Sequence, residues 1–194
     1  MITDCTALIL AGGESRRMGR DKALLPLDDK TLLEHVIFSM RQIFPRVIVS
    51  VRAPRAGVEL SQVCDEQTGS GPLAGLAAGL AKVDTPWAFV VACDMPYISS
   101  QLIELIDKYR FEHQAVVPVV CGYPQPMAAF YSVGCLDVIR QALAGKDKSL
   151  RGVLRQLDVC YVDEAGMNDA ALRSFVDLDT PEDYAAALKN GVKQ

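Results

Sequence analysis

Two rhythms of apolar and polar positions alternate along this chain of 194 residues. Ala7 to Leu10 is a continuous apolar run, as expected for a parallel strand covered on both faces, and it stops at Gly12 and Gly13. Thr31 and Glu34 have capping-box spacing, and Leu33, Val36, Ile37, Met40 and Ile43 then recur at helical intervals until Pro45. Val47 to Val51 predicts a second strand. Gly71-Pro72-Leu73-Ala74-Gly75-Leu76 places Pro72 in the first turn of a helix with Leu73, Leu76, Ala77 and Leu80 on one face. Trp87 to Ala92 predicts a third strand ending in Cys93-Asp94-Met95-Pro96, and Ser100 precedes a helix over Gln101 to Tyr109. Beyond these lie predicted strands over Ala115 to Val120 and Gln125 to Val133, and helices near Leu136 to Leu143 and Leu150 to Leu157. Short strands near Val159 and Phe175 follow, and Thr180-Pro181-Glu182-Asp183 caps a last helix.

Strands alternating with helices imply an α/β fold with a largely parallel sheet, helices on both faces, and ligands beyond the carboxyl ends of the strands. Gly12, Ser50 and Asp94 fall at such ends, and the helix beginning near Pro72 points its N-terminus toward them. The length fits one domain over residues 1–194, with no repeat, linker or low-complexity tract. The polar tail after Leu188 is expected to fray.

Composition narrows the class. Half of the residues are hydrophobic, enough for a sizeable core, and the formal net charge is −4, which argues against bulk nucleic-acid binding. No apolar stretch is long enough for a membrane span and no cationic leader precedes the first strand, so a cytoplasmic protein without a membrane partner is expected. The six cysteines, Cys5, Cys64, Cys93, Cys121, Cys135 and Cys160, include no C-x-x-C pair and read as buried free thiols. His35 and His113 have no partners placed for a catalytic triad and read as structural.

Local charge changes the picture. Glu14 to Lys22 carries four cations (Arg16, Arg17, Arg20, Lys22) against two carboxylates (Glu14, Asp21) in an acidic chain. Glycines free backbone N–H groups to approach an anion, so residues 8–25 read as a site for a small phosphate-bearing ligand. The spacing excludes common alternatives: five residues separate Gly13 from Gly19, and Arg20 follows it, so this is no Walker loop. Neither a G-x-G-x-x-G dinucleotide fingerprint nor a hydrolase nucleophile elbow is present. Asp94, directly after an apolar strand, is a candidate Mg²⁺ ligand, because Mg²⁺ takes one or two carboxylates plus phosphate and water.

The string Leu10-Ala11-Gly12-Gly13-x-Ser15-x-Arg17-Met18-Gly19-x-Asp21-Lys22-x-Leu24-Leu25 resembles the signature of molybdenum cofactor guanylyltransferases. The resemblance extends over nearly the whole chain. It implies a three-layer α/β/α, Rossmann-like nucleotidyltransferase fold with a mostly parallel sheet, and transfer of GMP from GTP to molybdenum-bearing molybdopterin with release of diphosphate. It implies that Leu10, Ala11, Gly12, Gly13, Lys22, Asp65 and Asp94 bind nucleotide. Asp65 lies before a Gly-Pro-Leu-Ala-Gly block whose glycines would wrap base or ribose, and Glu66 is its weaker neighbour. Arg17, Lys22 and Asp94 would carry the chemistry, with Asp94 holding the Mg²⁺ cofactor. Gln125-Pro126-Met127-Ala128 resembles the segment near the pterin. Implied partners are GTP, molybdopterin, a molybdenum-insertion protein and molybdoenzymes.

The chain departs from that family at Ser50, where asparagine is frequent, and at Asp177 and Asp179, where guanylyltransferases often have asparagines. These aspartates resemble the branch that transfers CMP from CTP, whereas Gly12-Gly13 favours the guanylyl branch. Helix capping is the expected role of Asp177 and Asp179, with metal contact as the alternative. A cytidylyltransferase and a non-catalytic nucleotide-binding chaperone for the cofactor are the competing functions.

Overall fold

The computed structural model describes residues 1–13, 21–64 and 71–190. Its elements in order are β1 (Cys5–Leu10), β2 (Pro26–Leu27), β3 (Lys30–Thr31), α1 (Leu32–Ile43), β4 (Arg46–Val51), β5 (Ser61–Cys64), α2 (Gly71–Leu80), β6 (Trp87–Ala92) and α3 (Ser100–Asp107). There follow β7 (Ala115–Val120), β8 (Tyr123–Pro124), β9 (Ala128–Ser132), α4 (Leu136–Ala144), α5 (Leu150–Leu154), β10 (Val159–Asp163), α6 (Asp169–Arg173) and α7 (Pro181–Asn190).

The main sheet has eight strands, in the order β10-β7-β9-β6-β1-β4-β5 with β8 paired to β7. It is mostly parallel, as expected. β8 and β9 are the exceptions, β8 antiparallel to β7 and β9 antiparallel to both β6 and β7. The tight turn at Cys121 and Gly122, both at positive φ (49° and 77°), makes the chain reverse into β8, and a connection this short leads only to antiparallel pairing.

Side-chain alternation along β1 divides the core. Cys5, Ala7 and Ile9 face a cluster with Leu33, Val36 and Met40 of α1 and Leu102, Ile103 and Ile106 of α3. Leu8 and Leu10 face the other way, against Leu73, Leu76 and Leu80 of α2, Ile139 of α4 and Val153 of α5. The sheet is therefore covered on both faces, which explains the unbroken apolar runs. In the first cluster Phe44, Phe89 and Phe130 lie within 5.0–6.4 Å of one another, centroid to centroid. Arg110, 2 % exposed, stacks on Phe130 and pairs with Asp4 and Asp107.

The capping box of Thr31 and Glu34 forms as expected. α3 is capped by Ser99, whose hydroxyl accepts from Leu102 N, so the helix starts at Ser100 and ends at Asp107. No strand forms near Phe175. Phe175 and Val176 instead close turns onto Leu172 and Arg173, and the chain leaves the sheet to reach Asp94. Cys5, Cys93 and Cys135 are buried and all six cysteines are free, but Cys64 and Cys121 are exposed, because a strand end and a turn tip lie outside the core. α7 continues past Leu188 to Asn190. Among the described residues no helix is long and apolar enough to cross a membrane.

The apolar helix α2 approaches the sheet through its glycines. A Cβ on Gly79 would lie 2.2 Å from Leu8 Cδ2, and one on Gly75 would lie 2.9 Å from Ser50 Oγ and 3.5 Å from Leu10 Cδ2. Gly75 thus serves helix-to-sheet packing, not the wrapping of a base or ribose expected of that block. Gly79→Ala is expected to destabilise the fold by about 1–3 kcal/mol, because fully buried Leu8 must leave its rotamer. Urea unfolding should show a lower midpoint at unchanged m-value.

Candidate active site

The carboxyl ends of three parallel strands lie side by side because Leu10 of β1 pairs with both Ser50 of β4 and Ala92 of β6. Backbone bonds extend this register past the strand ends: Ala11 N donates to Ser50 O at 2.8 Å, Cys93 N to Leu10 O at 3.1 Å and Ala92 N to Met127 O at 3.2 Å. Residues 10–13, 92–94 and 125–127 therefore share one edge, including the segment expected near the pterin. Gly12 is half-buried and Gly13 exposed. A Cβ at Gly13 would meet nothing within 4 Å, and its φ is not positive. Nothing inside the fold requires glycine there, so open approach to the backbone from outside is what the residue leaves available.

Lys22 opens a 3-10 turn, Lys22–Leu24, capped by Asp21, whose Oδ1 accepts from Ala23 N at 3.1 Å. Its side chain is 12 % exposed, and the ammonium donates to Asp94 Oδ2 at 3.3 Å and to the carboxylate of Asp179. Burial works against the lysine's charge, but the hydrogen bond to Asp179 and the charge of Asp94 outweigh it and raise its pKa. Asp94, with a side chain 20 % exposed, is pushed up mainly by desolvation; Lys22 pulls it down and Asp179 adds repulsion. Neighbouring Cys93 is buried, and its thiol is pushed up to about 12, so it stays protonated.

Asp179 does not cap α7. Thr180 is the cap: its Oγ1 accepts from Asp183 N at 3.1 Å, while Asp183 Oδ2 accepts from Thr180 N at 2.9 Å. Leu178 is buried and its N–H donates to Asp94 O at 3.0 Å, which lays residues 177–179 along the site edge. Asp177 is also raised, by partial desolvation and then by Asp179 and Asp94. The sequence marks these aspartates but cannot show that the chain returns here. Ser50, 2 % exposed, is covered by Gly75 of α2. Arg17, Asp65 and Glu66 lie outside the described residues.

The histidines are engaged elsewhere. His35 Nε2 lies 2.7 Å from Leu27 O, and His113 Nδ1 lies 3.2 Å from the Asp158 carboxylate. Arg55, which carries no sequence motif, does reach the site edge: it pairs with Asp21 at 2.7 Å and donates to Ala11 O at 3.0 Å.

Residues 7–161 match the family described as "MobA-like NTP transferase domain". The chain belongs to that family. This MobA-like transferase is 31 % identical over 198 residues to a Bacillus mycoides protein named "Probable molybdenum cofactor guanylyltransferase", covering 97 % of this chain and 98 % of the relative. The crystal structure of molybdopterin-guanine dinucleotide biosynthesis protein A from Archaeoglobus fulgidus is similar at a TM-score of 0.84 and 25 % identity, over 95 % of this chain and 97 % of that one. A 2-C-methyl-D-erythritol 4-phosphate cytidylyltransferase from Thermus thermophilus, at 18 % identity and a TM-score of 0.71 over 95 % and 97 % of the chains, shares the fold. The MobA-like chain is an enzyme, a nucleotidyltransferase of molybdenum cofactor biosynthesis, and its fold is Rossmann-like.

The raised pKa of Asp94 has a thermodynamic sign. The folded state holds a proton there more tightly than the unfolded chain, so this carboxylate disfavours folding as pH rises through its folded pKa. Asp94→Asn is therefore expected to raise Tm at pH 7, read by thermal melts of the two proteins side by side. The gain should shrink in melts at acidic pH, where the native aspartate is itself protonated.

Proposed function

We propose that the protein transfers the guanylyl group of GTP to the terminal phosphate of molybdenum-bearing molybdopterin. An acceptor phosphate oxygen attacks the α-phosphorus, the bond from that phosphorus to the β-bridging oxygen breaks, and diphosphate leaves with the electron pair. The observation that carries this reading is Lys22, held between Asp94 and Asp179 just beyond the ends of β1 and β6. The names of the relatives given above support guanine as the base and molybdopterin as the acceptor.

The chemistry asks for charge neutralisation and alignment, not for a general base, because the acceptor phosphate is already anionic. Lys22 would exchange its carboxylate partners for phosphate oxygens, which the three donors of an ammonium allow. The backbone at Leu10, Ala11, Gly12 and Gly13 would face the nucleotide. Arg17 and Asp65 complete the proposed set, as phosphate fork and nucleoside contact.

Mg²⁺ belongs to the same proposal. Asp94 and Asp177 are carboxylates whose pKa values are raised by desolvation and by neighbouring negative charge, a hard-oxygen donor set that a divalent cation relieves. Among the described residues no group of three or more His, Cys, Asp or Glu could hold a metal by itself, so Asp94 would share the ion with phosphate and water. Bound there, Mg²⁺ would supply neutralisation of phosphate charge.

Purified protein with Mg²⁺, molybdopterin and each nucleoside triphosphate in turn is expected to give a GMP adduct by mass, together with diphosphate. A CMP adduct without a GMP adduct would overturn the guanylyl reading. Tight GTP binding without diphosphate release would point to the chaperone. Lys22→Ala should lower turnover by about 100-fold or more with unchanged circular dichroism; near-normal rates would remove Lys22 from the mechanism.

A further inference from the structure

Arg55 takes no part in the transfer chemistry just described, yet it is among the most firmly held charged side chains at this edge. It lies on the connection between β4 and β5, where Gln62 of β5 grips its backbone from both sides. Gln62 Oε1 accepts from Arg55 N at 2.8 Å, and Gln62 Nε2 donates to Arg55 O at 2.9 Å and Val58 O at 3.2 Å. From that fixed base the side chain, 17 % exposed, reaches two residues far from it in sequence. One terminal nitrogen donates to Ala11 O at 3.0 Å and the other pairs with Asp21 Oδ2 at 2.7 Å.

Those two acceptors bracket the glycine and cationic segment. Asp21 has two duties: its Oδ1 caps the 3-10 turn that begins with Lys22, and its Oδ2 is held by Arg55. We propose that Arg55 is a positioning residue that ties Asp21 to the end of β1 and thereby sets where the Lys22 ammonium meets a nucleotide phosphate. This rests on the nucleotidyl-transfer reading for its ligand, but the clasp itself does not.

Stability alone does not account for the arrangement. Arg55 Nε is buried and has no hydrogen-bond partner among the described residues, and an orphaned buried donor disfavours folding. Rule-breaking of this kind concentrates where function constrains the residue. A lysine is no substitute, since a single ammonium on a flexible stem lacks the planar fork that spans a carbonyl and a carboxylate in fixed geometry.

The test uses the full chain and two readouts. In nucleotide-free protein, Arg55→Ala is expected to speed amide exchange at Ala23 and Leu24, the turn residues bonded to Asp21, by about fivefold or more, without change in β1 or β6. Calorimetry with GTP and Mg²⁺ should show affinity reduced about tenfold by Arg55→Ala and by Arg55→Lys, yet changed by less than about threefold when Arg55→Ala is added to Lys22→Ala, because the arginine acts through the lysine. Unchanged exchange at Ala23 and Leu24 overturns the clasp. An equal loss of affinity with and without Lys22 overturns the positioning role. If the wild-type protein binds no nucleotide while the exchange still accelerates, the transfer reading fails and the clasp stands.

Discussion

The candidate site depends on β1 being fixed on four sides. It pairs in parallel register with β4 on one edge and β6 on the other, and all six of its residues are buried between two helical layers. A strand so enclosed cannot slip by one residue without turning its whole apolar set to the wrong face. The positions of Leu10, Ser50 and Ala92 at one level follow from that register, and the loops beyond inherit it through short backbone bonds. Gly75 and Gly79 belong to the same constraint, since α2 lies close enough to lock β1 and β4 only where no Cβ intervenes.

The edge built this way gathers charge that no single segment contains. Lys22 comes from the loop after β1, Asp94 from the end of β6 and Asp179 from the approach to α7, 157 residues from the lysine. Partial burial makes the carboxylate of Asp94 costly to ionise, and the Lys22 ammonium offsets its charge and that of Asp179. The arrangement sets a partly buried cation beside open backbone, as the proposed exchange of carboxylate partners for phosphate oxygens requires.

Arg110 offers a contrast within the same molecule. Its guanidinium is as buried as any core side chain, with Asp4 and Asp107 as ion partners and aromatic rings around it. It binds the N-terminal approach of β1 to the end of α3, far in topology from the strand ends that carry Lys22 and Asp94. Arg55 is engaged through its two terminal nitrogens, at the ligand edge. The surroundings, not the residue type, separate a structural arginine from a positioning one.

The sequence by itself determined the three parallel strands around β1, the capped helices at Thr31 and Thr180, the family, and Lys22 and Asp94 as candidate site residues. These are local signals: period, caps, glycine punctuation, and polar residues directly after apolar runs. Tertiary structure alone decided that β9 runs antiparallel, that Phe175 lies in a turn, that Ser50 is sealed under Gly75, that Asp179 turns to Lys22, and that Arg55 clasps Asp21 to Ala11. Each depends on which distant segment arrives opposite, and a chain has no local pattern for a partner 44 or 157 residues away. That partner is chosen only when the sheet order is set and the two cores close around it.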